Sequence, residues 1–304
     1  MAGRGGDRAV SRCTRTHLVM ADHGAVRQAS SRSLVAAAVS VGLLCACDGQ
    51  AGAPTPTAVE QSRRSVTPAL EEVLSVTFDD LDVPRDGTPL DDGTGRVLAA
   101  KIRVPGDTPG TVSAVDGPRG AGKALQFPAP CDVQVCPRAI VEVMDAGDLS
   151  PGRQDFVLSA VLRMAPDETS PGSNVAQKGF STGGGGQWKL QVDGAEGLPS
   201  CVLVQSATDA AVAGPARHVL EGTSSVADDA WHDVVCERRG GRLSLLVDGE
   251  LSASTVVPEG LDISPEGPVR IGGKNVRQDN DQYNGVISSV MLSVAIGDGG
   301  GVNG

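Results

Sequence analysis

The chain has 304 residues, a formal net charge of −11 and only seven aromatic side chains, against 40 glycines and 19 prolines. The first 47 residues hold six Arg and two Asp, a balance of +4, which leaves −15 on the remainder. An acidic body of this kind repels phosphate backbones and argues against nucleic-acid partners, while abundant Gly among short Val/Leu runs argues for an all-β chain and against a helical bundle.

Residues 34–45, LVAAAVSVGLLC, form an apolar run behind Arg27 and Arg32. The run is too short to span a bilayer and has the length of a signal-peptide core. It ends in Leu44-Cys45-Ala46-Cys47, which resembles a bacterial lipobox with Leu at −3, Ala at −1 and Cys at +1; Cys45 departs from the usual residue at −2. The resemblance implies cleavage before Cys47 and diacylation of its thiol. Two acyl chains suffice for stable anchoring where one does not. The expected location is the outer face of the cell membrane; the alternative is an ordinary signal peptide and a secreted protein. The basic region ahead of the apolar run is long, so the chain starts at Met1 or at Met20.

Residues 48–71 are rich in Pro, Thr, Ala and Gln with no apolar periodicity, and read as an extended tether. The folded domain is expected over 72–296, with a disordered tail at 297–304. No second apolar run follows, so no transmembrane helix is predicted.

Strand-like runs recur from residue 73 onward: VLSVTF, VLAAKIRV, KALQF, AIVEV, DFVLSAVLRM, NVAQKG, QWKLQV, CVLVQS, WHDVVCER, RLSLLV, ELSAST, PVRIGG and VISSVMLSV. Alternation puts Phe156, Leu158, Ala160, Leu162 and Met164 on one face of their strand. It puts Trp188 and Leu190 on the face opposite Lys189 and Gln191, so Trp188 reads as core and not as a sugar platform. The Gly-rich stretch 183–186 lacks the Gly-Lys-Ser/Thr ending of a phosphate loop and reads as a hairpin tip. Residues 230–256 read as a hairpin with an Arg-Gly-Gly-Arg turn, followed by a second tight turn at Asp248-Gly249. Trp231 is expected to plug one end of the core, with His232 satisfied by a nearby backbone group.

The ordered series GKALQFPA, DFVLSAVLRM, NVAQKG, QWKLQV, AWHDVVCER, LLVDGE, VRIGG and YNGVISSVMLS resembles the laminin G-like modules of the concanavalin A-like lectin/glucanase superfamily. The resemblance implies an all-β jelly-roll sandwich of two antiparallel sheets, with Trp231, His232, Asp248 and Gly249 as its structural motif. Ser288 stands where the family's last segment usually carries an acid.

Cys13 and Cys45 leave with the signal and Cys47 takes the lipid. Cys131, Cys136, Cys201 and Cys236 remain in an oxidising compartment, which suggests two disulfides with three possible pairings. The family order makes CVLVQS and WHDVVCER consecutive strands, which implies Cys201–Cys236 between neighbours and leaves Cys131–Cys136. The spacing CDVQVC does not suit zinc, and only His218 and His232 remain as partners.

Relatives on this fold bind calcium through Asp carboxylates near a sheet edge. Asp79, Asp80 and Asp82 follow the first strand and are the candidate calcium ligands by that resemblance. The hydrolases of the superfamily carry Glu-x-Asp-x-x-Glu on a concave strand, a string absent here. Glu142…Asp145 and Glu259…Asp262 have other spacings and read as turn residues. No catalytic residue is assigned. The expected function is a membrane-tethered extracellular binding module for a cell-envelope glycan or a surface protein. The alternatives are a glycan-active hydrolase on the same fold and a structural envelope protein.

Overall fold

The computed structural model describes residues 68–96, 98–106, 110–144, 148–207 and 216–296. The signal segment with Cys47, almost all of the linker, Asp145 and the tail 297–304 lie outside the described residues.

Sixteen strands and two single 3-10 turns make up the regular structure of the described residues. In chain order the strands are β1 (Leu70–Thr77), β2 (Pro89–Leu90), β3 (Ala100–Arg103), β4 (Ser113–Asp116), β5 (Lys123–Gln126), β6 (Ile140–Val143), β7 (Phe156–Arg163) and β8 (Ser173–Gly179). They continue as β9 (Gln187–Asp193), β10 (Leu198–Val204), β11 (Arg217–Glu221), β12 (Trp231–Arg239), β13 (Arg242–Val247), β14 (Glu250–Val256), β15 (Val269–Ile271) and β16 (Val286–Ala295). They form two antiparallel sheets of eight, and the fold is a concanavalin A-like jelly-roll sandwich. The first sheet runs β14-β13-β12-β7-β16-β5-β4. β1 and β5 share one side of β16 in tandem, pairing with its C-terminal and N-terminal parts. The second sheet runs β11-β10-β9-β8-β15-β6-β3-β2.

In β7 the burial alternates along the strand, with Phe156, Leu158, Ala160 and Leu162 inside. In β13, Leu243, Leu245 and Val247 point in by the same period of two. The hairpin turns follow their residues. Asp248 and Gly249 sit at φ +53° and +80°, the left-handed pair that a two-residue turn requires. Between β12 and β13, Arg239 pairs with Arg242 across Gly240-Gly241. β2, β4 and β11 are short strands that the apolar pattern does not single out, because their residues are largely exposed.

Both disulfides are present, Cys131–Cys136 with Cα atoms 5.7 Å apart and Cys201–Cys236 at 5.8 Å. The strands of the second pair are not neighbours as the sequence suggests. β10 belongs to the second sheet and β12 to the first, and both cysteines are fully buried. The bond therefore crosses the core and ties one sheet to the other.

Trp231 does not plug the core. Val234, Cys236 and Arg238 of β12 point inward, so the odd positions face out, and Trp231 lies half-buried against the Arg163 guanidinium at 5.5 Å. The core indole is Trp188, wholly buried with its Nε1 donating to the Leu149 carbonyl at 3.0 Å. His232 is held by carboxylates and not by backbone: Nδ1 lies 2.8 Å from Asp248 and Nε2 2.9 Å from Asp228. Arg238 fills one end of the core, its guanidinium donating to the carbonyls of Gln154, Leu261 and Gly152. Burial brings its pKa down to about 10.

Candidate functional site

The two sheets differ on their outer faces. On the first sheet, outward positions such as Val157, Ser159 and Val161 are only half-buried. On the second, β8, β9 and β10 are buried at nearly every position, inward and outward alike. The outward residues of β9 and Gln177 of β8 are nonetheless polar: Gln177, Gln187, Lys189 and Gln191 are all within 9 % of full burial. Long polar side chains reach this state when a face is recessed and walled by loops. One row of register crosses it, with Lys101 opposite Glu142, Glu142 opposite Arg270, Arg270 opposite Gln177 and Gln177 opposite Lys189.

Two loops wall the groove. The β8–β9 hairpin begins at Gly179, which has φ +76° and lies so close to Gly186 that a Cβ would stand 2.2 Å from the Gly186 carbonyl oxygen. Only glycine fits there, and the turn it makes presents Phe180. The second wall is the stretch 273–285 between β15 and β16. Asp279 and Asp281 take φ +54° and +50° within it, a conformation uncommon for non-glycine residues and concentrated at functional sites. Gln282 anchors this wall by bonding both the N–H and the carbonyl of Ala139, and Asn284 donates to Pro128 at 2.7 Å.

Phe180 divides the groove. On one side it lines a cavity of ≈ 390 Å³ with Lys189, Gln191, Arg217, Lys274 and Asp281. On the other it lines one of ≈ 300 Å³ with Glu142, Arg270, Asn275 and Arg277. Both fall in the size range of small-ligand sites. Of the seven aromatic residues, all within the described segments, five are fully buried and Trp231 is half-buried; Phe180 alone is exposed, at 42 %. The Arg270 guanidinium sits 5.5 Å from its ring.

The charges in the groove are ordered. Asp281 bonds Lys274 at 3.0 Å and lies 3.6 Å from Lys189. Glu142 accepts from Arg103 at 3.1 Å and lies 3.7 Å from Arg270. Burial pushes the Lys189 ammonium and the Arg270 guanidinium below their ordinary pKa values, and the neighbouring carboxylates offset this only in part. Beneath Asp281, wholly buried Asn174 keeps both side-chain polar atoms without a hydrogen bond, while its N–H donates to the Asp281 carbonyl at 2.8 Å.

Sequence reasoning passed over these residues. Glu142 is not at a turn but within β6 on the recessed face. Phe180 follows a glycine and belongs to no apolar pattern. The alternation of QWKLQV sets Lys189 and Gln191 on the outer face opposite Trp188 but does not mark that face as recessed.

Asp79, Asp80 and Asp82 are not gathered as metal ligands. Leu81 between Asp80 and Asp82 is buried and its N–H closes a turn on the Phe78 carbonyl; the three Asp are exposed, and Asp79 lies against Gly122. Among the described residues no group of three or more His, Cys, Asp or Glu is placed to hold a metal ion. Ser288 is the extra residue where the β16 register shifts against β7.

A family model described as the concanavalin A-like lectin/glucanases superfamily, of laminin G type, matches residues 141–295, half of the chain. The chain belongs to this superfamily. The match covers the module from β6 to the last strand, and so takes in both walls of the groove. No curated protein sequence matches the chain. Solved structures with a similar arrangement include the binding domain of Paraclostridial Mosquitocidal Protein 1, at 12 % identity and a TM-score of 0.49 over 74 % of this chain and 48 % of that one. A botulinum neurotoxin type C structure, whose title describes cell entry dependent on two ganglioside molecules, is 14 % identical with a TM-score of 0.48, over 73 % of this chain and 47 % of that one. Domain 4 of the arabinanase AbnA from Geobacillus stearothermophilus, in complex with arabinotriose, is 15 % identical with a TM-score of 0.49, over 74 % of this chain and 93 % of that one. The chain thus spans about half the length of the two toxin domains. No role is carried over from these three.

Proposed function

We propose that this module binds a glycan in the groove on the outer face of its second sheet, and that the lipid on Cys47 tethers it to the outer face of the cell membrane. The observation that carries the binding reading is Phe180. It is the one exposed aromatic ring in the chain, and it stands between two small-ligand-sized cavities, one lined by Gln177, Gln187 and Gln191 and the other by Asn275 and Arg270. A ring for stacking beside convergent amide and charged groups is the arrangement that recognises a sugar. The groove is read as binding and not cleaving because its two carboxylates are each committed to two cations and line different cavities, whereas glycoside hydrolysis needs a facing acid pair with one member free to protonate the leaving group.

A glycan array probed with the full chain and with its Phe180→Ala variant tests the reading. The full chain should retain a defined set of glycans, and the variant should lose at least tenfold in affinity for them with its folding intact. Equal binding by both proteins would move the site elsewhere. Hydrolysis of a retained glycan would favour the enzyme reading.

A further inference from the structure

We infer that the glycan is an anionic one, recognised through carboxylate or sulfate groups along its chain. This rests on the groove being the glycan site and adds the ligand's chemical class. The carrying observation is a reversal of charge. The protein as a whole is acidic at −11, yet the two cavities beside Phe180 are lined by Lys189, Arg217, Lys274, Arg270 and Arg277 against only Asp281 and Glu142.

The two carboxylates do not neutralise that set. Asp281 is shared by Lys189 and Lys274, and Glu142 by Arg270 and Arg103 from β3. Each cavity therefore keeps a surplus of positive charge, one from Lys189, Lys274 and Arg217 and the other from Arg270 and Arg277. Arg217 and Arg277 stand exposed at the two openings. Lys189 and Arg270 lie on the sheet itself with side chains only 11 % and 16 % exposed, so part of their hydration has already been given up on folding. An incoming anion restores what burial has taken from them. A neutral sugar does so less fully, because its hydroxyls offer hydrogen bonds without the Coulomb attraction that strengthens a charge-assisted bond in a partly desolvated site. Guanidinium groups present paired donors that match the two oxygens of a carboxylate or sulfate. The net acidity of the protein opposes loose association with polyanions, so attraction depends on contact with the basic lining of the groove.

The spacing of features also fits a chain and not a single anion. The surplus is divided between two cavities with the Phe180 ring between them. A polymer carrying an anionic group on successive or alternate residues places one group on each side of a sugar face stacked on the ring.

Titration calorimetry on the full chain with matched glycan pairs tests the inference. The pairs are polygalacturonate with its carboxyl-reduced form, alginate with its carboxyl-reduced form, and dextran sulfate with dextran; inorganic polyphosphate is the non-sugar probe. At least one acidic member should bind at least tenfold more tightly than its neutral partner, and its affinity should fall as salt rises. The first two pairs report carboxylate recognition and the third sulfate. The Arg217→Gln/Arg277→Gln double variant, altered only at exposed positions, should lose at least fivefold for that acidic glycan while its unfolding midpoint stays unchanged. Neutral members binding as tightly as acidic ones would overturn the inference and leave the glycan reading standing. Polyphosphate binding as tightly as the best acidic glycan would overturn it in favour of a bare charge patch. Binding of no glycan from either column would overturn both readings.

Discussion

The two tryptophans sit on opposite sides of the ledger between structure and surface. Trp188 is wholly buried beneath the groove and anchored to Leu149; Trp231 is half-buried on the outer face of the first sheet under Arg163. Truncating a core tryptophan costs about 3–5 kcal/mol, a large part of the ~5–15 kcal/mol that holds a domain together. Trp188→Ala should therefore shift the urea midpoint far down or abolish expression, while Trp231→Ala should cost about 1 kcal/mol, the scale of a surface cation–π contact. Equal losses from the two changes, read from urea melts, would contradict this assignment. His232 makes a second prediction. Burial works against its protonation, but the hydrogen bonds that its ring donates to Asp228 and Asp248 outweigh it and raise its pKa above the ordinary value near 6.5. The imidazolium is thus favoured in the folded state, so its contribution is complete below about pH 6.5 and fades as pH rises through the raised value. The partner Asp228 is held below the usual carboxylate range by the same hydrogen bond, so its share fades only in strong acid. The stability gap between the wild type and His232→Gln should be wider at pH 5.5 than at pH 9; a gap independent of pH would exclude the ion-pair account.

At the scale of elements, the Cys201–Cys236 bond is a covalent tie between the two sheets. It joins β10 of one sheet to β12 of the other across a sequence separation of 35. A loop of that length stabilises by about 4 kcal/mol through restriction of the unfolded chain, and the five-residue separation of Cys131–Cys136 by about 2 kcal/mol. Cys201→Ala/Cys236→Ala should accordingly destabilise more than Cys131→Ala/Cys136→Ala in urea melts, and the reverse order would refute the cross-core role. Much of this architecture was legible in the sequence, because period-two alternation in DFVLSAVLRM and RLSLLV registers which side chains face the core, and Asp248-Gly249 sets its own turn. The side of Trp231 was legible too, from its odd spacing to Cys236, once the bridge is known to point inward. The placement of β10 in the sheet opposite β12 was not, since strand order along the chain does not say which layer a strand joins. The groove was the least legible part. It is assembled from β6, β8, β9, β11 and β15 and two loops, far apart in sequence, and its polar residues carry no periodic mark that separates a recessed outer face from a solvated one.

At the scale of the whole molecule, the chain is an acidic sandwich whose first sheet faces solvent in the ordinary way and whose second sheet carries a basic recess. Tethering would hold that recess at the cell surface. Cys47→Ala should release the protein from membranes or leave an unprocessed precursor, observed by fractionation and intact mass; a variant that stays membrane-bound and normally cleaved at unchanged mass would refute lipidation at Cys47. The central claim, that the recessed face of the second sheet is the binding face, is tested most directly by amide hydrogen exchange on the full chain with and without the tightest glycan from the array. The account predicts slowed exchange at 179–187 and 273–282, the two walls of the groove, with β12, β13 and β14 unchanged. Protection on the first sheet, with none at Phe180 or the facing wall, would contradict it.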